Sequence, residues 1–236
     1  YGGLVALAQN DIKRLVAYSS VSHMGFCMLG VFSANALGVS GGLLQCVNHG
    51  LATGGLFAMV GMLYERYHTR EISSFGGLAR KMPVLAFFFI VISMASIGLP
   101  GLNGFVGEFL VLAAVFQNGS YILGACAATG IILSAIYMLW LVQRIFFGPL
   151  REPAHDGEPV SDLCLREVIT LAPIAAACLF IGLFPNLLLE PMAGDIQEIT
   201  GPLQHRAKVS AGEQRAGAVP LSVNTIPVNS KESLSP

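Results

Sequence analysis

Long apolar stretches are the feature that most restricts how this chain can fold. A bilayer core is crossed by roughly 20 residues of helix. Membrane β-strands are shorter and alternate apolar with polar residues, a pattern these stretches lack. The sequence therefore predicts an all-α polytopic membrane protein with about five transmembrane helices, plus the end of an earlier one at residues 2–8. The five predicted spans are residues 15–32, 39–64, 84–116, 121–147 and 168–189.

The composition agrees with a membrane protein and excludes several function classes. Hydrophobic residues make up 54% of the chain and charged residues only 11%, with a mean hydropathy of +0.67. These values exclude a disordered chain, a coiled coil and an ordinary soluble enzyme. The net charge of −1 leaves no global basic surface, so we expect no nucleic-acid partner. No zinc-protease, phosphate-loop, nucleophile-elbow or haem-attachment motif occurs, so we expect no catalytic residue, metal site or redox site in this chain.

The basic residues predict the orientation of the bundle. The turns at 33–38 and 117–120 contain no Lys or Arg, whereas the other connections do. By the positive-inside rule the basic connections are cytoplasmic, and five spans then place the C-terminus on the non-cytoplasmic face. The basic residues of these connections are Lys13, Arg14, Arg66, Arg70, Arg80, Lys81, Arg144, Arg151 and Arg166.

Two regions differ in composition. Residues 1–195 are predicted to form the transmembrane helical bundle. Residues 202–236 are rich in Ser, Pro, Gly and charge, and we expect them to form a disordered polar tail. The chain begins at Tyr1 in the middle of an apolar pattern, so we expect it to be part of a longer polypeptide.

Three ionisable side chains lie well inside the predicted spans. His23 and His49 lie about 15 Å from the ends of their spans, and Glu108 about 12–14 Å from the end of its own, all by the helical rise. The three groups therefore share one depth near the midplane. Ionisable groups are costly in lipid and usually face protein or a water-filled path. We interpret them as a lateral row that carries protons, in preference to groups that only hold helices together.

Other polar residues accompany this row. Gln45 and Thr53 lie one helical turn either side of His49, and hydrogen-bonded stripes of this kind also join helices without any further role. Lys13 lies at the boundary of its span, where it either reaches the cytoplasmic interface or supplies protons to the row. The supporting polar residues are Ser19, Ser22, Gln45, Asn48 and Thr53.

The 84–116 stretch is longer than one straight span and is interrupted in its middle. Pro100 removes an amide donor, and Gly98, Gly101 and Gly104 permit unusual backbone conformations. This pattern predicts a helix broken at Gly98–Gly101, which lipid tolerates only where the break is buried or lines a cavity. Broken helices at mid-membrane depth mark ion sites in many transporters. The alternative is a proline kink with a structural Glu108.

Several ordered motifs resemble those of a known family. Residues 1–195 are similar to the antiporter-like subunits of respiratory complex I, the NADH-quinone oxidoreductase, and among these to the subunit M group. The resemblance is carried by DIKRLVAYSSVSHMGF (11–26), NHGLATGGLF (48–57), LYERYHTREI (63–72), GLPGLNGFVGEF (98–109) and LREVITLAP…GLFPNLLLEP (165–191).

This resemblance implies a function and roles for single residues. It implies that Glu108 is the acidic residue of the broken helix at the outward end of a proton path. It also implies that His23 and His49 belong to the central hydrophilic axis, and that Lys13 and Arg14 are the basic pair opening the helix of His23. The family's Glu–Lys pair and central lysine would lie upstream of this sequence.

The implied function is proton translocation across a bacterial inner membrane, coupled to NADH:quinone electron transfer in other subunits. This chain would hold no cofactor; NADH, flavin, iron–sulfur clusters and quinone would lie in partner subunits. The expected partners are other membrane-arm subunits, including sister antiporter-like subunits, and the lipid bilayer.

Other functions remain open from the sequence. One is a subunit of a cation/proton antiporter or of the membrane arm of an energy-converting hydrogenase, which shares the broken helix and the DIKR-like motif. Another is a structural membrane scaffold. A third is a membrane-embedded enzyme whose metal ligands are His23, His49 and Glu108.

Overall fold

The computed structural model describes residues 1–153 and 160–217, with side chains to residue 202. Over these residues the regular elements are helices, accompanied by two short 3-10 turns and two isolated β-bridges, and irregular connections join them. The helices are α1 (Gly2–Leu7), α2 (Ile12–Phe32), α3 (Ala36–Tyr67), α4 (Pro83–Ser96), α5 (Asn103–Gln117), α6 (Tyr121–Phe146), α7 (Leu165–Leu183) and α8 (Asn186–Gly217).

These helices confirm the predicted spans. The helices α2, α3, α6 and α7 are each long and apolar enough to cross a membrane, while α4 and α5 are shorter and together occupy the predicted 84–116 span. The α7 helix ends at Leu183, earlier than the predicted 168–189 span, because Pro185 cannot continue it. The short helix α1 lies within residues 2–8, for which the end of an earlier span stays a prediction.

The helices α2 and α3 pack closely against each other at two glycines. A Cβ built on Gly30 would lie 2.8 Å from the Cα of Gly42, and one on Gly42 would lie 2.9 Å from the carbonyl oxygen of Cys27. No larger side chain fits at either glycine, so the two backbones touch directly. Small residues allow this approach in membranes, where packing rather than water exclusion holds helices together.

The predicted helix break is present. The helix α4 ends at Ser96 and α5 begins at Asn103. Gly98 and Gly101 adopt φ values of 77° and 94°, which strain residues with a Cβ. The backbone of Gly104 packs against the carbonyl group of Ala95, so the second half of the helix leans directly on the end of the first.

The basic residues gather at one end of the bundle, where the connections are well ordered. The chain at Asn10–Ile12 pairs with the loop after α3, since Ile12 donates its N–H to Arg70 and Ile72 donates to Asn10, both at 2.9 Å. The Asp162 carboxylate accepts hydrogen bonds from the N–H groups of Val84 and Leu85 and thereby caps α4. The connections that carry the basic residues therefore contact one another, while the side of the membrane that they face stays a prediction.

An ion pair joins α3 to α7 at this same end. Arg66 donates from Nη1 and Nη2 to the two carboxylate oxygens of Glu167, at 2.8 and 2.7 Å. Glu167 also accepts the N–H of Cys164 at 2.8 Å, which completes a capping box at the start of α7. A fork-to-fork geometry of this kind is among the stronger polar contacts in proteins.

The C-terminal helix extends beyond the predicted bundle. The helix α8 continues to Gly217, so residues 202–217 of the predicted disordered tail form a helix in the structure. Residues 218–236 lie outside the described residues, and for them disorder stays a prediction.

The Arg66–Glu167 pair generates a stability prediction. Replacing Glu167 with Gln should lower the free energy of unfolding by about 1–3 kcal/mol, because Arg66 then keeps a weaker, uncharged partner. Thermal denaturation of the full-length subunit in detergent measures this. The exposed Glu65→Gln variant on α3 removes the same charge and serves as the control. Equal melting temperatures for the two variants would contradict the prediction.

Candidate functional site

Glu108 is a buried carboxylate that three elements surround. It lies on α5 and is 2% exposed. Its Oε1 is 3.0 Å from Nδ1 of His23 on α2 and accepts a hydrogen bond from Nε2 of Gln45 on α3 at 3.2 Å. A Cβ on Gly98 would lie 3.1 Å from Oε2, so the glycine of the helix break leaves room for the carboxylate. The break and the acid therefore belong to one site.

His23 is the central member of this site. It is 2% exposed, and its second ring nitrogen, Nε2, lies 3.4 Å from the hydroxyl group of Tyr137 on α6. Its ring centroid is 5.4 Å from that of His49, with the planes tilted by 35°. The order in space is Glu108, His23, His49, and we call these three residues the His–Glu cluster. The chain order had placed His49 between the other two.

His49 forms the outer end of the cluster. It is half-buried, and the hydroxyl group of Thr53 lies 3.2 Å from its Nδ1. Two of the residues expected to support the row therefore contact it. Thr53 lies one turn from His49, and Gln45 contacts Glu108.

Two asparagines attach the broken helix to α3. The side-chain amide of Asn48 donates to the carbonyl oxygen of Asn103 at 2.7 Å, and that of Asn103 points back to the carbonyl of Asn48 at 3.5 Å. Both residues are buried. This reciprocal contact holds the first turn of α5, and with it the start of the helix that carries Glu108.

Several buried polar oxygens around the break have no hydrogen-bond partner among the described residues. They are Oε1 of Gln45, Oδ1 of Asn48, Oδ1 of Asn103 and Oγ of Ser93. Buried acceptors normally find a partner, and ordered water supplies many of them.

The remaining residues predicted from the sequence lie farther out. Ser19 is buried and donates to the carbonyl of Val16 at 2.7 Å, and both Ser19 and Ser22 lie close to the hydroxyl of Tyr137. Lys13 is exposed in the first turn of α2, ten residues before His23 and thus about 15 Å along the helix. The structure does not bring Lys13 into the cluster.

Sequence reasoning missed Tyr137 and Asn103. Tyr137 is fully buried, on a helix whose sequence reads as an ordinary apolar span. Its one signal is a phenol that shares a helix face with the buried Ser134. Asn103 lies within the GLPGLNGF stretch at the helix break. It is the one polar side chain of that stretch, and this was the signal that could have identified it.

The cluster can hold a proton in more than one place. His23 and Glu108 at 3.0 Å form either an imidazolium–carboxylate pair or a neutral pair, depending on where the shared proton lies. Within the described ranges, no three His, Cys, Asp or Glu side chains have a geometry that could hold a metal ion. The arrangement is suited to moving protons between neighbouring groups.

Comparison with known proteins gives the family. The sequence model of the family described as NADH:quinone oxidoreductase/Mrp antiporter, transmembrane, matches residues 1–134. NADH-quinone oxidoreductase subunit M of Rhodobacter capsulatus is 44% identical over 216 residues, which are 90% of this chain and 42% of that protein. Subunit M of Mycobacterium tuberculosis is 42% identical over 80% of this chain and 34% of that protein. The chain thus spans about two fifths of the length of its curated relative from Rhodobacter.

Solved structures agree with this. Respiratory complex I from Thermus thermophilus with bound NADH contains a chain similar to this one with a TM-score of 0.73 and 40% identity, covering 85% of this chain and 42% of that one. The Mrp complex from Dietzia sp. DQ12-45-1b matches with a TM-score of 0.77 over 85% of this chain and 45% of that one; at 23% identity this shows the shared fold alone. The chain is a multi-pass membrane protein and belongs to the NADH:quinone oxidoreductase/Mrp antiporter transmembrane family.

Proposed function

We propose that this chain is the C-terminal part of a proton-translocating membrane subunit of an NADH-quinone oxidoreductase, of the subunit M type. The proposal is supported by the 44% identity to subunit M of Rhodobacter capsulatus and the 40% identity to a chain of respiratory complex I from Thermus thermophilus. NADH oxidation and quinone reduction, with the flavin, iron–sulfur clusters and quinone they require, take place in partner subunits.

The observation that carries the proposal is the chain of contacts from Glu108 through His23 to His49. Each member bears a group that binds or releases a proton. The first step spans one hydrogen bond of 3.0 Å, and the second joins two imidazole rings whose centroids are 5.4 Å apart, where a bridging water would complete the path. Imidazole passes protons efficiently because one ring nitrogen accepts as the other donates. In this role Glu108 is the terminal carrier, His23 the relay and His49 the link toward the rest of the subunit.

Neighbouring groups orient the carriers. Gln45 donates to Glu108 and Thr53 contacts His49, which fixes both carriers in position. The unpartnered amide oxygens of Asn48 and Asn103 face the break, where water molecules bonded to them would extend the path beyond Glu108. Lys13 would act upstream of the cluster, through water or through groups outside this chain.

The proposed function also implies a membrane, an orientation in it and a set of partner subunits. We place it in a bacterial inner membrane with the basic connections in the cytoplasm and the C-terminus on the non-cytoplasmic face. Its partners are other membrane-arm subunits, including sister antiporter-like subunits.

A second candidate is a subunit of a cation/proton antiporter or of a hydrogenase-like membrane arm. It is favoured by the matching family model, whose description includes the Mrp antiporter, and by the likeness to an archaeal membrane-bound sulfane sulfur reductase. That structure matches with a TM-score of 0.75 and 29% identity over 81% of this chain and 31% of that one. Proton transport in sealed vesicles at varied sodium concentration separates the two functions. A rate independent of sodium supports the proton-only function.

The Glu108→Gln variant tests the proposed function. Within the assembled complex in sealed vesicles, it should lower NADH-driven proton uptake by at least about tenfold, since an amide cannot carry the proton that the carboxyl group passes on. Proton uptake, NADH oxidation and quinone reduction are recorded together, and assembly is followed on a native gel.

The control is Glu65→Gln, which removes an exposed carboxylate from α3 and should leave all three rates unchanged. Unchanged proton uptake by an assembled Glu108→Gln complex would refute the proposal. Loss of assembly in Glu108→Gln, with normal pumping in whatever complex remains, would assign Glu108 a scaffold role.

The spatial order of the cluster predicts how two substitutions combine. Glu108→Gln and His23→Gln interrupt the same step, so the double variant should pump within about twofold of the slower single variant. Combining Glu108→Gln with Arg144→Gln, an exposed change far from the cluster, should instead give the product of the two single effects. Multiplicative effects for Glu108 and His23 would show that they act independently.

A further inference from the structure

Two adjoining cavities lie at the basic end of the bundle and share Tyr64 and Arg70. The first, of about 580 Å³, is polar and is lined by residues 8–11, by Arg14 and by residues 68–71. The second, of about 520 Å³, is mostly apolar and is lined by Phe57, Val60, Gly61 and Tyr64, with Lys13 and Arg70 among its lining residues. One half is polar and the other apolar, which is the division found in an amphiphilic ligand.

Positive charge is concentrated where the two cavities meet. No carboxylate of the described residues forms an ion pair with Lys13, whose side chain is exposed. Arg70 lies 5.2 Å over the ring of Tyr64 and approaches Asp11 through Nε at 3.6 Å, with both side chains well exposed. An exposed pair at this distance contributes little, so Arg70 remains able to bind an anion.

The carboxylates of the polar cavity are already engaged. Asp11 accepts the N–H of Arg14 at 2.9 Å and so caps α2, and Glu71 accepts the hydroxyl of Ser73 at 2.6 Å. The lining residues include three basic side chains, Lys13, Arg14 and Arg70, and two carboxylates, so the charged side chains around the cavities sum to +1. Glu71 and Asp11 also offer acceptors for the hydroxyl groups of a polar headgroup.

The apolar cavity is a groove along α3. It runs from Tyr64 toward Phe57, seven residues and thus about 10 Å along the helix. A Cβ built on Gly61 would meet nothing within 4 Å, so the floor of the groove is open. The groove leads from the polar end of α3 into the part of the helix that spans the membrane.

We infer that these cavities form a binding site for one anionic phospholipid, with phosphatidylglycerol as the model ligand. The phosphate lies between Lys13 and Arg70, the glycerol headgroup occupies the polar cavity, and an acyl chain follows the groove past Gly61. Basic residues at the end of a span, above an apolar surface, provide the charge and the shape that such a lipid requires. This gives Lys13 a place in the fold that does not require contact with the His–Glu cluster.

Photo-crosslinking of the full-length subunit in its complex tests the inference. Phosphatidylglycerol, phosphatidylethanolamine and phosphatidylcholine with a photoreactive group in one acyl chain are compared in nanodiscs, and labelled peptides are mapped by mass spectrometry. Phosphatidylglycerol should label the 57–64 segment most strongly. Lys13→Gln and Arg70→Gln should each reduce that labelling by about fivefold.

Two further variants separate charge from shape. Gly61→Leu keeps every charge but fills the groove, and should also abolish labelling; its control is Gly25→Leu, at another glycine whose built Cβ meets nothing. Arg166→Gln, an exposed arginine at the same end of the bundle, should label normally. Equal labelling by the three lipids, or none at 57–64 because protein covers the groove, would overturn the inference.

Discussion

The hydrogen bond between Glu108 and His23 is the contact on which the rest of this bundle depends. A carboxylate within the membrane is severely destabilised unless a partner compensates for the water it has lost. The partner of Glu108 is His23, which lies on α2, and the side chain that also donates to it is Gln45, which lies on α3. All three helices must therefore approach closely at one depth, and the direct backbone contact between Gly30 and Gly42 permits this.

The helix break and the acid require each other. An interrupted helix leaves backbone groups without intrahelical partners, which lipid cannot satisfy. Here the N–H groups of Gly98 and Leu99 donate to the last carbonyls of α4, those of Ala95 and Met94, at 3.3 and 3.0 Å. The reciprocal contact of Asn48 with Asn103 attaches the start of α5 to α3. The positive φ of Gly98 turns the chain away while leaving space beside Glu108. A Cβ built on Gly98 would lie 3.1 Å from Oε2 of Glu108, so a larger residue at this turn would crowd the carboxylate.

Residue counting predicted the shared level of the buried ionisable residues, but it could not predict which neighbours their side chains face. Rise per residue fixes how deep a residue lies, so the shared level of His23, His49 and Glu108 could be derived from counting. Which way a side chain faces depends on the packing of neighbouring helices, so the central place of His23 could not be derived. Tyr137 was not identified from the sequence because a neutral phenol adds no charged residue to an apolar span. For Lys13, the ten residues that separate it from His23 already set a distance of about 15 Å along α2, so its place outside the cluster could also be derived from counting.

The distribution of charge within the cluster separates two kinds of proton movement. A proton that passes from His23 to Glu108 leaves the total charge of the buried site unchanged, so the surrounding low-dielectric protein opposes it little. A proton that enters or leaves the cluster changes its buried net charge by one, and desolvation raises the free energy of whichever of the two states carries that net charge. No lysine or arginine among the described residues lies in the cluster to offset it. Entry and exit are therefore the steps that an approaching charge elsewhere in the assembly could control, whereas transfer inside the cluster is set by geometry alone.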